Sequence, residues 1–209
     1  MLNKISFGTL FMIFGIVIQI FAFYYTNASV LSLISGVAGI FSVVLCAERK
    51  MSFWVFAWIQ LITYLILAYN QKLWGEVSEN IFYAITMIIG MFIWYKYKEE
   101  STVKSRKLSN KLLIGLTFIT ILGIIALYSY LSLTNDTQPF VDSVSTVPAI
   151  IGELLMIAAF REQWYFWLTI DVASIYMWGV AGDWCMVAQF VFWTINCLYG
   201  IKNWNYEAN

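Results

Sequence analysis

Eight stretches of about 20 predominantly apolar residues follow one another along this chain of 209 residues. A helix needs about 20 apolar residues to cross a bilayer, because a rise of about 1.5 Å per residue must cover about 30 Å of hydrocarbon. Only 11% of the residues are charged, which is too few to cover the surface of a soluble domain. The sequence therefore predicts an all-α polytopic membrane protein. Its apolar stretches lie near 5–24, 28–47, 53–69, 78–95, 112–133, 140–160, 164–180 and 184–201, of which the first is either a span or an interfacial helix.

The ionisable residues exclude several classes of function. The chain has no histidine and a formal net charge of zero, so histidine-dependent metal sites and catalytic triads cannot be built. Cys46, Cys185 and Cys197 lack CxxC spacing, and we interpret them as small core residues rather than thiolate ligands or disulfide partners. We expect no cofactor and no metal, and no nucleic-acid partner because no basic field is present.

Positive charge predicts the orientation. The longest hydrophilic stretch, 96–111, is rich in lysine and arginine, so the positive-inside rule places it in the cytoplasm. Counting spans outward from this loop also places Lys4, Arg49 and Lys202 inside and leaves Lys72 outside. We therefore expect a multi-pass protein of the cytoplasmic (inner) membrane, with the lipid bilayer as its surroundings.

Tryptophans recur in register when the sequence is compared with itself at a shift of 110 residues, which we call the repeat offset. Aromatic residues concentrate at membrane interfaces, so individually we expect Trp54, Trp74 and Trp94 to anchor helix ends. Anchoring does not explain the shared register, which indicates two parallel three-helix units, an architecture found in transporters. The repeat offset pairs Trp54 with Trp164, Trp74 with Trp184, and Trp94 with Trp204.

The repeat divides the chain into four parts in a three-plus-one-plus-three arrangement behind an N-terminal helix. The N-terminal helix occupies 1–27, and the first unit occupies 28–98. The basic loop and a linker helix occupy 99–134, and the second unit occupies 135–209. The single linker helix returns the chain so that both units face the same way across the membrane.

The last helix of each unit carries a polar and aromatic stripe. Residues spaced at i, i+4, i+7 and i+11 lie on one face of a helix, and polar groups in lipid are costly unless they face a cavity or a partner. Two such stripes facing each other would line a central cleft. The first stripe is Glu79, Tyr83, Thr86 and Gly90, and the second is Gln189, Trp193, Asn196 and Gly200.

Two acids are expected deep within spans, Glu153 and Asp171. An intramembrane acid is a functional candidate by default, although it can also serve as a structural hydrogen-bonding partner between helices. Glu76 and Asn80 lie nearer a helix end, where they could belong either to a cavity rim or to solvated surface. The complete set of substrate-binding candidates is Gln60, Tyr64, Glu79, Asn80, Tyr83, Thr86, Asp171, Ser174, Trp178, Trp184, Gln189, Trp193 and Asn196.

Two segments of the second unit carry a family resemblance. The pattern Asn-x-x-Tyr-Gly-x-x-x-Trp over 196–204 and the aromatic segment 164–176 resemble the PnuC-type vitamin transporters. The fold of that family is similar to that of the SWEET sugar transporters. Members import nicotinamide riboside, an NAD precursor used in pyridine nucleotide salvage, and relatives take thiamine. In the first unit Thr86 stands where the second has Asn196, so the resemblance is stronger in the second half.

The resemblance implies roles for the candidate residues. Nicotinamide riboside joins a cationic pyridinium ring to a ribose, so its site needs aromatic faces, hydrogen-bonding groups and a carboxylate. Asp171 would balance the charge. Tyr83, Trp178, Trp184 and Trp193 would stack on the ring, and Glu79, Gln189 and Asn196 would bind the ribose and the carboxamide.

We therefore expect a uniporter that imports nicotinamide riboside by facilitated diffusion, and not an enzyme. The alternatives are a transporter of thiamine or another nucleoside-like vitamin on the same fold and, less favoured, a seven-helix receptor or a membrane enzyme. No lysine lies within a span to form a Schiff base, and no nucleophile-base pair is evident. The expected partner is a small-molecule substrate, and a homo-oligomer is compatible with the sequence.

Overall fold

A computed structural model of the chain describes residues 6–100 and 102–206, which fold almost entirely into α-helices. Lys4, which we expected to lie in the cytoplasm, is outside the described residues. The all-α class predicted from the apolar stretches is confirmed. The helices of the described residues are α1 (Phe7–Thr26), α2 (Val30–Ala47), α3 (Phe53–Asn70), α4 (Trp74–Tyr97), α5 (Asn110–Leu131), α6 (Pro139–Ile157), α7 (Gln163–Ala181) and α8 (Trp184–Tyr206).

The outer surface of the helices is apolar. Seven of the eight helices in the described residues are long and apolar enough to cross a membrane, and α7 is the exception. Large side chains such as Phe92 and Ile114 are 72% and 70% exposed, which in water would be costly but in lipid is favourable. The protein is therefore a multi-pass membrane protein.

Six of the helices form a closed ring. Helix α2 packs between α3 and α8, helix α6 packs between α4 and α7, and the pairs α3–α4 and α7–α8 complete the circle. Helix α1 lies outside the ring against α2 and α8, and helix α5 lies outside it against α6. The proposed units of the ring, α2–α4 and α6–α8, thus meet at two seams, one between α4 and α6 and one between α2 and α8.

Three helix boundaries lie three or more residues from the sequence-based expectation. Helix α8 continues to Tyr206 rather than ending near 201. Helix α4 begins at Trp74 rather than near 78, because the Asp142 carboxylate on α6 accepts hydrogen bonds from the backbone N–H groups of Gly75 (2.7 Å) and Glu76 (3.0 Å). A carboxylate at this position satisfies otherwise unpaired N–H groups and complements the helix dipole. Helix α6 ends at Ile157 rather than near 160, because the chain turns at Ala159 with a φ of 57°.

Contacts between the two units are reciprocal at the repeat offset. The Trp94 indole N–H donates to the Met156 carbonyl at 3.1 Å, and the Trp204 indole N–H donates to the Cys46 carbonyl at 3.3 Å. The repeat offset relates the two donors to each other, and it also relates the two acceptors. These exchanged hydrogen bonds support the two-unit organisation proposed from the sequence.

Four tryptophans form one cluster across the units. Trp94 and Trp204 lie 6.1 Å apart between ring centroids, and each makes an edge contact within its own unit, to Trp54 at 5.6 Å and to Trp164 at 6.1 Å. The expectation that Trp54 and Trp94 anchor helix ends at the lipid interface is wrong. Their side chains are 2% and 0% exposed because they seal the end of the helix ring that carries the basic loop.

The basic loop contacts both units. It forms two short strands, β1 (Lys98–Glu99) and β2 (Thr102–Val103), and continues to the start of α5. The Val103 N–H donates to the Arg49 carbonyl at 3.2 Å, and the Arg106 N–H donates to the Ala159 carbonyl at 2.8 Å. Arg49 and Ala159 are again related by the repeat offset, so the loop binds equivalent turns of the two units.

Candidate functional site

A central cavity of about 130 Å³ lies inside the ring, and all six helices of the ring contribute to its wall. It extends towards the tryptophan cluster at one end, where Trp164 joins the wall, and towards Glu76 at the other. The following candidate residues from the sequence line this cavity: Gln60, Tyr64, Glu79, Asn80, Tyr83, Asp171, Ser174, Trp193 and Asn196.

Several polar atoms of the wall are buried without a hydrogen-bond partner among residues 6–100 and 102–206. They are Ser174 Oγ, Trp193 Nε1 and Asn196 Oδ1, together with Glu79 Oε2 and the Tyr83 hydroxyl, which lie one turn apart on α4 and within reach of each other. Buried polar groups in native proteins are nearly always hydrogen-bonded, and leaving one unpaired costs about 1 to 3 kcal/mol. A polar ligand in the cavity would satisfy these atoms, which include both donors and acceptors.

The cavity wall is acidic. It contains Glu76, Glu79, Glu153 and Asp171, and no lysine or arginine of the described chain lines it. We expected Glu153 and Asp171 deep within spans; Glu76 and Glu79, nearer the start of α4, are also buried, at 2% and 5% exposed. A carboxyl group that is ionised in a water-poor cavity attracts a cation strongly and repels an anion.

One hydrogen-bonded chain fixes the end of the cavity farther from the basic loop. The Trp178 indole N–H donates to the Tyr64 hydroxyl at 3.0 Å, and that hydroxyl donates to Glu76 Oε2 at 2.7 Å. Glu76 Oε1 accepts from the Ser145 hydroxyl at 2.6 Å. The chain links α7, α3, α4 and α6, so it holds Tyr64 and Glu76 in place and occupies both oxygens of the Glu76 carboxylate.

The other acids have fewer partners. Glu153 Oε1 accepts from the Thr86 hydroxyl at 3.3 Å, and Asp171 Oδ2 accepts from the Cys197 thiol at 3.2 Å. A thiol is a weak donor, so Asp171 keeps most of its capacity to accept hydrogen bonds. Asp171 and Glu79 are therefore the two acids of the wall that are best able to interact with a ligand.

Comparison with known proteins assigns this helix ring to a family. The sequence profile of the family described as "Nicotinamide mononucleotide transporter" matches residues 29–206. The chain belongs to this family. It is therefore a membrane transporter and not an enzyme, and the resemblance seen in the sequence is confirmed.

Individual relatives agree with the profile. A protein of Haemophilus influenzae named nicotinamide riboside transporter PnuC is 29% identical over 194 residues, covering 90% of this chain and 85% of the relative. A protein of the same name from Neisseria mucosa is 28% identical, covering 90% of this chain and 76% of the relative. The crystal structure of a vitamin B3 transporter PnuC superposes with a TM-score of 0.85 at 25% identity, covering 99% of this chain and 93% of that one.

Four candidate residues lie outside the cavity wall. Trp184 begins α8 and is 56% exposed; it lies nine residues, or two and a half turns, before Trp193 and so points to the opposite face. Trp178 is fully buried behind Tyr64, and Thr86 bonds Glu153. Gln189 is buried against Gly39 of α2.

Other wall residues were not among the candidates. Glu76 and Trp167 line the cavity, and helical spacing could have found both. Glu76 lies three residues before Glu79, and Trp167 lies four residues before Asp171, so each shares a face with a candidate. Cys46 also lines the cavity, and nothing in its sequence surroundings distinguishes it from a packing residue.

Proposed function

We propose that this transporter carries nicotinamide riboside by facilitated diffusion and that the central cavity is its substrate site. The observation that carries the proposal is the composition of the cavity wall: four carboxylates, several aromatic rings, unpartnered hydrogen-bonding atoms and no basic side chain among the residues described. The substrate has a cationic aromatic ring and a polyhydroxyl sugar. Each feature of the substrate has a matching group in the wall.

Individual residues take distinct roles in this proposal. The carboxylates of Glu79 and Asp171 balance the positive charge of the pyridinium ring. The Trp193 ring stacks on it, with a cation–π attraction of about 0.5 to 2 kcal/mol. Ser174 and Asn196 hydrogen-bond the ribose or the carboxamide through atoms that have no other partner among the residues described.

The acidic wall favours the riboside over the mononucleotide. The family description names the mononucleotide, whereas the relatives from Haemophilus influenzae and Neisseria mucosa are named for the riboside. The two compounds differ by one phosphate, which is an anion that needs basic side chains or free N–H groups. Because the wall offers carboxylates instead, we propose that the riboside is the transported form.

The size of the cavity is consistent with an aromatic ring as the buried part of the ligand. Its volume of about 130 Å³ is close to the roughly 150 Å³ of a protein cavity that holds one benzene. The ribose then needs additional space. We expect side chains of the wall to change rotamer when a whole riboside binds.

The proposed location is the cytoplasmic membrane with the basic loop 96–111 on the cytoplasmic side. Six basic residues lie in this loop, whereas the opposite end of the helix ring carries Lys72 together with Asp136 and Asp183. This asymmetry supports the orientation by the positive-inside rule. The end of the cavity near Glu76 then faces the exterior.

Thermal unfolding of the purified protein tests the substrate assignment. A ligand at 100 times its dissociation constant stabilises the folded state by about 2.7 kcal/mol, so the unfolding temperature should rise with nicotinamide riboside. The mononucleotide and thiamine at the same concentration should give smaller shifts. A larger shift with thiamine would reassign the substrate, and a larger shift with the mononucleotide would refute the argument from the acidic wall.

A further inference from the structure

A second cavity of about 460 Å³ lies outside the helix ring, between α4, α5 and α6 at the end farther from the basic loop. Trp74 and Tyr130 place aromatic rings in its wall, and Ser78, Glu79 and Thr146 add polar groups. No lysine or arginine of the described residues lines it. The chemistry of this outer cavity is therefore similar to that of the central one, although it is larger.

The two cavities share Glu79. This residue lies on α4 at the seam with α6, and its side chain contributes to the walls of both cavities. The Glu79 side chain is 5% exposed, and its Oε2 has no hydrogen-bond partner among the described residues. Neither oxygen forms a salt bridge in the described chain that would resist a change of rotamer.

The equivalent position at the other seam is filled. Gln19 of α1 is fully buried there, and its amide donates to the Cys185 carbonyl at 3.0 Å and packs against Gly36. At the repeat offset, Cys185 and Gly36 correspond to Gly75 and Thr146 in the wall of the outer cavity. Helix α1 thus fills the α2–α8 seam from outside. At the α4–α6 seam the Asp142 carboxylate accepts hydrogen bonds from the Gly75 N–H and the Thr146 hydroxyl, and the outer cavity lies beside these residues, between the seam and α5.

We propose that the outer cavity is an entry subsite for the same aromatic cation, which binds there before it passes Glu79 into the central cavity. This inference rests on the proposed function. Trp74 and Tyr130 supply ring faces for a pyridinium cation, and Glu79 supplies the attracting charge from either side. The Trp74 indole N–H donates to Asn135 Oδ1 at 2.6 Å, which holds this ring at the mouth of the cavity.

Cysteine labelling tests the entry subsite. Ser78→Cys places a thiol in the outer cavity, and Ser132→Cys is the matched control. Both serines are exposed, and each donates its hydroxyl to the carbonyl four residues earlier, at 2.9 Å and 2.7 Å, but only Ser78 lines the cavity. Intact cells that express the full chain are treated with a membrane-impermeant, positively charged methanethiosulfonate. Labelling is measured by mass spectrometry, and uptake with radioactive nicotinamide riboside.

We expect both variants to be labelled from outside, and labelling of Ser78→Cys alone to abolish most of the uptake. Excess riboside should slow the labelling of Ser78→Cys and leave that of Ser132→Cys unchanged. Full labelling with unchanged uptake would overturn the proposal, and so would failure of external reagent to reach the thiol introduced at position 78.

Failure of the proposed function gives a different result. It would appear before any labelling, as absence of riboside binding by the purified wild-type protein. A protein that binds and transports the riboside but is insensitive to labelling at position 78 would retain the central site and refute only the entry subsite.

Discussion

Asn196 combines a hydrogen bond between helices with an unpartnered acceptor in the wall of the central cavity. Its amide nitrogen donates to the Val43 carbonyl at 3.0 Å, which orients the group, and its Oδ1 has no hydrogen-bond partner among residues 6–100 and 102–206. Thr86, its counterpart at the repeat offset, contacts Glu153, which is in turn the counterpart of Val43. Equivalent positions in the two stripes therefore contact equivalent positions across the seams, but with different chemistry.

Asn196→Leu should weaken riboside binding by about 1 to 3 kcal/mol, because a hydroxyl or amide of the ligand is left without a partner in a buried site. Calorimetric titration of the purified variant measures the loss. Asn203→Leu is the control: Asn203 lies on the same helix and donates to the Ala47 carbonyl at 3.4 Å, but it does not line the cavity. Equal affinities of the two variants would remove Asn196 from the site.

Asp171→Asn should reduce affinity for the cationic riboside by about 2 kcal/mol, the lower end of the range for losing one partner of a buried charge pair. The neutral dihydro form of the riboside provides the internal control, since it keeps the shape and loses the charge. Its affinity should change little in the variant. A parallel loss for both forms would show that Asp171 acts through structure rather than through charge.

Trp193→Ala should weaken binding by about 1 to 2 kcal/mol through the loss of a stacking face. Trp184→Ala, on the same helix but 56% exposed and outside the cavity wall, should leave affinity unchanged. Titrations of both variants with riboside compare the two tryptophans directly. Similar losses would place the ligand elsewhere.

Helical spacing predicted many of the residues that line the central cavity. It failed where a residue's partner on the facing helix determines whether its side chain is available to the cavity. The positions of Glu79, Tyr83, Trp193 and Asn196 followed from their common face on α4 or α8. Spacing within one helix does not specify what the facing helix presents. Thr86 lies on the predicted face, yet its hydroxyl is engaged by the Phe82 carbonyl at 3.1 Å and by Glu153 at 3.3 Å.

At the scale of helices, close approach depends on glycine. A Cβ added at Gly90 would collide with the Trp54 ring, and one added at Gly200 would collide with the Trp164 ring. These positions are related by the repeat offset, and both let a tryptophan of the central cluster pack against a helix backbone. Small residues serve this purpose widely in membrane helices.

Gly90→Ala and Gly200→Ala should each destabilise the protein by about 1 to 3 kcal/mol, because the displaced indole has no room in a packed cluster. Gly115→Ala on α5 is the control, since no atom lies within 4 Å of the added methyl group. That variant should be neutral or stabilised by up to about 1 kcal/mol. Thermal unfolding in one detergent measures all three, and an unchanged Gly200→Ala protein would contradict the packing argument.

The sequence predicted where helices occur along the chain. It did not predict where α4 begins or which helices pack together, because these features depend on residues far away in the sequence. Apolar stretches of span length located all eight helices, since lipid requires satisfied backbone groups within each segment. The start of α4 depends on Asp142, which accepts hydrogen bonds from the Gly75 and Glu76 N–H groups 67 and 66 residues earlier in the chain. The burial of Trp94 depends on a carbonyl 62 residues away. No local pattern contains such information.

At the scale of the whole molecule, the two ends of the helix ring differ. At the end with the basic loop, the tryptophan cluster and the loop bind both units together. The Ser105 hydroxyl adds a bond to the Trp204 carbonyl at 2.8 Å. At the opposite end, the units meet through Glu76, Ser145 and Asp142. Rocking of one unit against the other would exchange these contacts, and the central acids would remain between them.

Uniport is the energetic mode that these features favour. Glu76 and Glu153 already accept hydrogen bonds from neutral hydroxyl groups, so they have structural roles that do not need a change of protonation. A cationic substrate gains about 2.3 kcal/mol per 100 mV when it moves to a negative interior. The membrane potential can therefore drive entry of the riboside without a coupling ion.

Proteoliposomes with equal riboside on both sides and zero membrane potential should show no net flux when a proton or sodium gradient is imposed. A potential of about 60 mV, negative inside, should instead produce about tenfold accumulation of the cation, because about 1.4 kcal/mol corresponds to a factor of ten. The neutral dihydro riboside should equilibrate without accumulating under either condition. Accumulation of the neutral form under a proton gradient would contradict uniport. If Glu79→Gln or Asp171→Asn then abolished this accumulation, the substituted residue would be the coupling carboxylate.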